Sequence, residues 1–236
     1  GSTKRASVLS MRGGSDSWTP TAVNYITCDK RDNRIVWAAT EYGLYRTKDD
    51  GDNWELIYFG NTWKERNVLG VGYASRDPKR IYMATKAGLH TSDDGGRTFN
   101  RDFRNPLGHG SITKIRFAAG NHHIVWIGTK KGLWKSTDRG KHYRWVYGFR
   151  RSRLPDELIC WKVVPHPKDQ DTVWIGTEDG LAISRDGGKT WKRIRDDLFG
   201  RRSIGDFRVA DRDNPDHQYV GLDRELYESR NGGKTW

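Results

Sequence analysis

Eight residues, SRDGGKTW at 184–191, return as SRNGGKTW at 229–236, and the same phrase occurs three times earlier in the chain. The earlier copies are TKDDGDNW at 47–54, SDDGGRTF at 92–99 and STDRGKHY at 136–143. Their starts are 45, 44, 48 and 45 residues apart. A regular period in that range means one supersecondary unit per repeat, each burying its apolar face against the next. The likeness extends upstream, where IVWAATEYGLYR, RIYMATKAGLHT, IVWIGTKKGLWK, TVWIGTEDGLAI and QYVGLDRELYE each lead into a copy.

Every unit reads as a run of short strands. VWIGT is β-branched and aromatic, as a half-buried strand is. A turn with Gly follows, as in TKKG (129–132) or TEDG (177–180), and then a second run such as LWKS or LAIS. The glycines of the box supply the positive φ of a hairpin turn. A third strand begins after the aromatic (ELIYF, RWVYGF, KRIR), and a longer loop leads to an innermost strand such as NVLGVGYA or SITKIRFA. Four strands per repeat is the arithmetic of a propeller blade. The expected fold is therefore all-β: a five-bladed β-propeller of four-stranded antiparallel blades, with 1–236 as a single domain. A solenoid of four-stranded units is the competitor, and nothing helical is required.

With the last box ending at Trp236, the fifth blade lacks its outermost strand and leaves an open edge. KRASVLSMR, residues 4–12, has the length and basic character of KRIRDDL after the fourth box. It is expected to pair beside the strand ending near Ser229 and close the ring. Residues 1–3 read as a tag remnant. The alternative is a piece of a protein with more blades.

The boxes have a physical job. Asp49, Asp94, Asp138 and Asp186 can fold a carboxylate back onto turn amides, and Asn231 can accept in the same way in the fifth copy. The Ser or Thr at the first position ties the other side of the turn. Trp54, Phe99, Tyr143, Trp191 and Trp236 are placed to plug the gap between neighbouring sheets. These residues are expected to be structural and not catalytic.

The pattern S/T-x-D-x-G-x-x-aromatic is that of the Asp-box, or bacterial neuraminidase repeat. With one box per blade and a GT-x-x-GL lead-in, residues 20–236 resemble the Asp-box propellers of sortilin-type receptors, xyloglucan-hydrolysing enzymes and the photosystem II assembly factor. These families share a scaffold and not a chemistry. The sialidase pattern implies an Arg-Ile-Pro stretch, which is absent. The xyloglucan hydrolases imply two Asp carboxylates across a cleft between two large propellers, which one small propeller is not expected to form. The assembly factor implies seven blades, and sortilin-type domains are larger still. The resemblance favours an exported protein, while the residues leave the compartment open.

Eleven Trp, ten Tyr and seven Phe exclude a disordered chain. Lys and Arg outnumber acids 42 to 30, for a net charge of +12, which attracts nucleic acid, acidic polysaccharide, anionic membrane or acidic protein. Two cysteines, Cys28 and Cys160, exclude a disulfide scaffold and read as buried free thiols. No run approaches the roughly 20 apolar residues of a membrane helix. His122–His123 gives no metal-ligand spacing, and P-loop, GxSxG and zinc motifs are absent. No cofactor or metal is expected.

Binding belongs on the face opposite the boxes, in the loops 60–67, 104–111, 148–157 and 198–206. Arg150, Arg151, Arg153, Arg201 and Arg202 come from successive blades there, with Lys86, Lys130 and Lys131 in the same face's short turns. Arginine forks bind carboxylates and phosphates in two-point fashion. Trp63 and Trp18 are loop-borne aromatics. The acids of the short turns, Glu41, Glu178, Asp179, Asp223 and Glu225, read as surface residues, and Asp206 is the best single catalytic candidate. The expectation is a non-enzymatic binding or assembly module whose basic face recognises an acidic protein segment or anionic polymer. The alternatives are a glycan-active propeller, either hydrolase or lectin; a nucleic-acid binder; and an idealised propeller without a ligand.

Overall fold

Each repeat becomes one antiparallel sheet, because its apolar strands are short and its turns are chemically fixed. The computed structural model describes residues 22–29, 32–74, 77–101, 103, 106–109, 112–148, 158–194, 196–200, 202–222 and 224–236. The chain divides into two units, Gly1–His109 and Gly110–Trp236.

In the first unit, β1 (Val23–Cys28), β2 (Val36–Thr40), β3 (Gly43–Thr47) and β4 (Glu55–Tyr58) pair in that order. A one-turn helix, α1 (Trp63–Arg66), leads into a sheet of β5 (Val68–Ala74), β6 (Asp77–Thr85) and β7 (Gly88–Ser92). In the second unit, β8 (Ile112–Ala118), β9 (Asn121–Thr129), β10 (Gly132–Ser136) and β11 (Arg144–Tyr147) form one sheet. The next sheet holds β12 (Cys160–Pro165), β13 (Val173–Thr177), β14 (Gly180–Ser184) and β15 (Lys192–Ile194). After a second one-turn helix, α2 (Asp196–Phe199), come β16 (Asp206–Val209), β17 (Gln218–Leu222) and β18 (Glu225–Ser229).

The expectation of four strands throughout is met in three sheets. In the second, the chain after the box makes only the Thr91–Asn100 bridge among the described residues. The closing strand predicted at 4–12 lies outside the described residues. The two helices correct the all-strand expectation. Cys160 is buried, and burial pushes its thiol up to about 12, whereas Cys28 is exposed at the end of β1 and not buried as expected.

The box is a closed circuit of hydrogen bonds. Ser92 Oγ donates to Asp94 Oδ1 (2.7 Å) and accepts from the amides of Asp94 (3.3 Å) and Gly96 (2.9 Å). Asp94 in turn accepts from the Thr98 amide (3.0 Å) and hydroxyl (2.6 Å). The first-position hydroxyl reaches the carboxylate in the same way from Thr47, Ser136 and Ser184. In the fifth box, Asn231 Oδ1 takes the bonds from Ser229 Oγ and the Thr235 amide, both at 3.0 Å, and its amide nitrogen donates to Thr235 Oγ1. At the opposite end of each sheet a second staple closes the hairpin. Thr40, Thr85, Thr129 and Thr177 each donate to the carbonyl three residues on, at 2.9–3.1 Å, and accept the amide two residues on. The fifth copy has Leu222 and Glu225 where the others have Thr and Gly.

Sheets meet through their tryptophans. The second box glycine, at φ +91° for Gly96 and +85° for Gly188, lies on the indole of the preceding sheet. A Cβ there would come within 3.4 Å of Trp37 or 3.1 Å of Trp126. A cation of the preceding sheet lies over each indole and donates into the same box. Arg46 sits 5.1 Å over Trp37 and reaches the Gly95 carbonyl, and Lys135 sits 4.7 Å over Trp126 and reaches that of Gly187. The box aromatics seal these seams: Phe99 packs edge-on against Tyr58, Trp191 against Tyr147 and Trp236 against Phe199.

Two outcomes follow from this frame. Trp126→Ala removes a fully buried indole and costs about 3–5 kcal/mol in denaturant unfolding, against a near-silent Trp63→Ala. The box hydrogen bonds also hold the carboxyls of Asp94 and Asp186 well below the usual range and those of Asp49 and Asp138 at about 2. Depressed folded-state values mean stability that is present above the unfolded carboxyl value of about 4 and lost as pH falls toward 2. Melting temperature drops across that window in the parent protein. Replacing the four acids by Asn, the residue already present at position 231, flattens the drop, and replacing them by Ala lowers melting at every pH. An equally steep drop in the Asn variant contradicts this account.

Candidate functional site

The boxes cluster with the hairpins that join first and second strands, as shown by backbone bonds from Gly95 to Lys79, Arg139 to His123, Gly187 to Asp171 and Gly232 to Asp216. The His122–His123 pair is thus at the box end of its sheet. The loops leading into each first strand reach the other end, beside the Thr-stapled turns, where the amides of Lys86 and Ile204 donate to Asn67 and Thr177.

In the first unit this inlet end is an aromatic platform on a hydrogen-bonded frame. Helix α1 is held by a capping box: Thr62 Oγ1 accepts the Glu65 amide, and Glu65 Oε2 accepts the amides of Asn61 and Thr62. Trp63, the first helical residue, is 64% exposed, with the ammonium groups of Lys64 and Lys86 at 5.7 and 5.5 Å from its ring centre. Arg101 ties three loops together, donating to the carbonyls of Ala87 and Gly108, both at 2.6 Å, and to Glu65 at 3.4 Å. It also covers the exposed Phe103 ring at 4.5 Å. Beneath the platform Tyr58 and His90 meet at 3.3 Å, and burial raises the first to about 12 and lowers the second. Both stay neutral near pH 7, so the frame carries no switch there.

In the second unit the inlet end is charged. Asp206 opens β16 with Lys162 at 3.0 Å and Arg208 at 3.5 Å. Partial burial works to raise the Asp206 pKa, but the Lys162 bond and charge and the Arg208 charge outweigh it and hold the carboxyl below its ordinary range. Asp179 is clamped by Arg193 at 2.6 Å, and Glu225 by Arg202 at 2.9 Å and the Tyr227 hydroxyl at 2.6 Å. Lys130 and Lys131 occupy the β9–β10 turn, where Trp145 donates to the Lys131 carbonyl.

Of the arginines predicted to form one patch, Arg150, Arg151, Arg153 and Arg201 lie outside the described residues, as do Trp18 and Asp223. Arg202 is engaged with Glu225. Sequence reading missed Arg101 and Phe103. It also missed the capping box at 62–65, although its T-x-x-E signature is present in the letters. Among the described residues no group of three His, Cys, Asp or Glu could hold a metal ion, and no helix is long and apolar enough to cross a membrane.

The BNR/Asp-box repeat family matches residues 182–193. A xyloglucanase of Hypocrea jecorina is 26% identical over 162 residues, which is 58% of this chain and 18% of that protein. A probable oligoxyloglucan-reducing end-specific xyloglucanase of Neosartorya fischeri is 27% identical over 137 residues, 50% of this chain and 17% of that one. The chain thus spans less than a fifth of the curated relatives it matches. Among solved structures, the GH74 xyloglucanase from Xanthomonas campestris superposes with a TM-score of 0.74 at 18% identity, covering 91% of this chain and 37% of that one.

These matches overturn the expectation of a non-enzymatic module that reads protein or anionic polymer through a basic face, since both sequence relatives are enzymes acting on a glycan. Net charge reports what the surface attracts, not what the site does. The size argument against xyloglucan hydrolases also fails, because it weighed a whole two-propeller enzyme against a chain that aligns with only a segment of one. The chain carries BNR/Asp-box repeats and is similar in fold to the propellers of xyloglucanases.

Proposed function

We propose that this chain is a glycan-active Asp-box propeller whose sheets act as blades and whose inlet ends engage a β-glucan of the xyloglucan type. The observation that carries the reading is that both matched sequence relatives are xyloglucanases. The platform of Trp63 and Phe103 supports it. Exposed aromatics on a rigid frame suit the apolar faces of pyranose rings, and the neighbouring amines and guanidiniums suit their hydroxyls. Trp63 loses little on binding, because its helix is already capped and its loop is tied by Arg101.

Hydrolysis is the second step of the reading, and Asp206 favours it. Glycoside cleavage needs one protonated and one ionised carboxyl. An Asp held ionised by Lys162 fits the base or nucleophile and not the acid. Asp179 and Glu225 are engaged in ion pairs with Arg193 and Arg202.

Isothermal titration with xyloglucan oligosaccharide tests the binding reading. Saturable binding is expected, weakened about tenfold in Trp63→Ala, which corresponds to about 1.4 kcal/mol. Absence of binding, or binding unchanged in that variant, contradicts it. In the same samples a reducing-end assay tests cleavage: activity lost in Asp206→Asn with binding retained assigns the carboxylate.

A further inference from the structure

The fifth box carries Asn231 where the other four carry Asp, and the residue after it is Gly232. This is the one Asn–Gly pair in the sequence. An Asn before Gly is prone to lose its side-chain amide, because a residue with no Cβ leaves its own nitrogen open to the neighbouring carboxamide. The glycine nitrogen gives up its proton and attacks the Asn Cγ. The new N–Cγ bond closes a succinimide ring as the Cγ–Nδ2 bond breaks and ammonia departs. Water then opens the ring at one carbonyl or the other and leaves aspartate or isoaspartate.

The closed box holds every reacting atom of that route. The Gly232 amide donates to the Asp216 carbonyl at 3.0 Å, which occupies the proton that must leave. Asn231 Oδ1 accepts from Ser229 Oγ and from the Thr235 amide, both at 3.0 Å. Its Nδ2, the departing nitrogen, donates to Thr235 Oγ1 at 2.8 Å. The buried Ser229 hydroxyl also accepts the amides of Asn231 at 3.4 Å and Gly233 at 2.9 Å, so the backbone is fixed on both sides of the pair. Gly232 sits at φ +69°, which strains any residue with a side chain. The residue that makes the pair labile is thus the one the turn favours.

We infer that Asn231–Gly232 is a latent site of non-enzymatic deamidation, shielded while the fifth box is closed and reactive when that turn opens. Cyclisation needs the carboxamide swung onto the Gly232 nitrogen and that nitrogen stripped of its proton. The bonds to Asp216, Ser229 and Thr235 therefore open first, and the rate follows the fraction of time the turn is open. The two products differ in consequence. Aspartate at position 231 gives the fifth box the eight letters of the fourth, with a carboxylate that accepts the same bonds. Isoaspartate adds a methylene to the main chain inside the turn and breaks the spacing of its hydrogen bonds. This inference concerns the frame and stands apart from the glycan reading.

The test incubates the full chain and a synthetic SRNGGKTW peptide in mildly alkaline buffer and follows the amide-to-acid mass gain at position 231 by peptide mapping. The chain is expected to react about tenfold more slowly than the peptide or slower still, since a turn open a tenth of the time reacts at a tenth of the free rate. Ser229→Ala, which removes three of the box bonds, is expected to move the rate toward that of the peptide. Thr235→Ala, which removes only the Nδ2 acceptor, is expected to give a smaller rise. Ser184→Ala, the matching change in the fourth box, is expected to leave the rate at 231 unchanged. A full chain that reacts as fast as the peptide overturns the inference, as does a rate unmoved in both the Ser229 and Thr235 variants. A rise in Ser184→Ala equal to that in Ser229→Ala overturns it too, because global loosening and not the fifth box would then control the reaction. Thermal melts of the three variants separate local opening from lost folding.

Discussion

The contact on which the rest depends is the one between a box glycine and the tryptophan of the preceding sheet. Trp37 and Trp126 are almost completely buried because Gly96 and Gly188 lie flat against them. Both glycines make that approach at a positive φ, a conformation that favours a residue with no side chain. The cation above each indole then donates into the same box turn, so one seam holds a packed ring, a charge over it and a hydrogen bond across it. Alanine at either glycine would be strained at a positive φ, and it would crowd the Trp126 indole at position 188 and Ile57 at position 96.

The staple chemistry at the two ends of each sheet explains why unspent side-chain chemistry gathers at one of them. At the box end, hydroxyl, carboxylate and amides satisfy one another, leaving little free chemistry. At the inlet end, the Thr staple fixes only the hairpin, and the loops beside it differ from repeat to repeat. In the first unit that variation yields Trp63 on a capped turn braced by Arg101. In the second it yields Asp206 between Lys162 and Arg208. Both are side chains whose positions the frame fixes and whose identities the fold does not require.

Much of the frame was legible in the letters. Box spacing located the turns, the Thr and Gly of the lead-ins located the hairpins, and the β-branched and aromatic VWIGT located a second strand, which is buried along its whole length and not half-buried as expected. The platform was less so. T-x-x-E at 62–65 is a capping signal, but four residues between strands give no periodicity to support a helix. Arg101 carries no motif at all, because two of its acceptors are backbone carbonyls and the third is the Glu65 carboxylate, and these come together only in the fold. The register of Lys162 was hidden for a different reason. A bulge between Cys160 and Lys162 shifts the pairing, so alternation counted from the strand start misplaces it. Net charge misled most, since it pointed to anionic partners in general while the matched relatives act on a glycan.

The account holds that the box end is scaffold and the inlet ends are working surface. Mapping amide and indole chemical shifts of the isotope-labelled chain during titration with xyloglucan oligosaccharide tests that division most directly. The account predicts shifts at the Trp63 indole and at the amides around Lys162 and Asp206, with Gly96, Gly140, Gly188 and Gly233 of the boxes unmoved. Shifts concentrated on those box glycines, with the inlet ends silent, would contradict it.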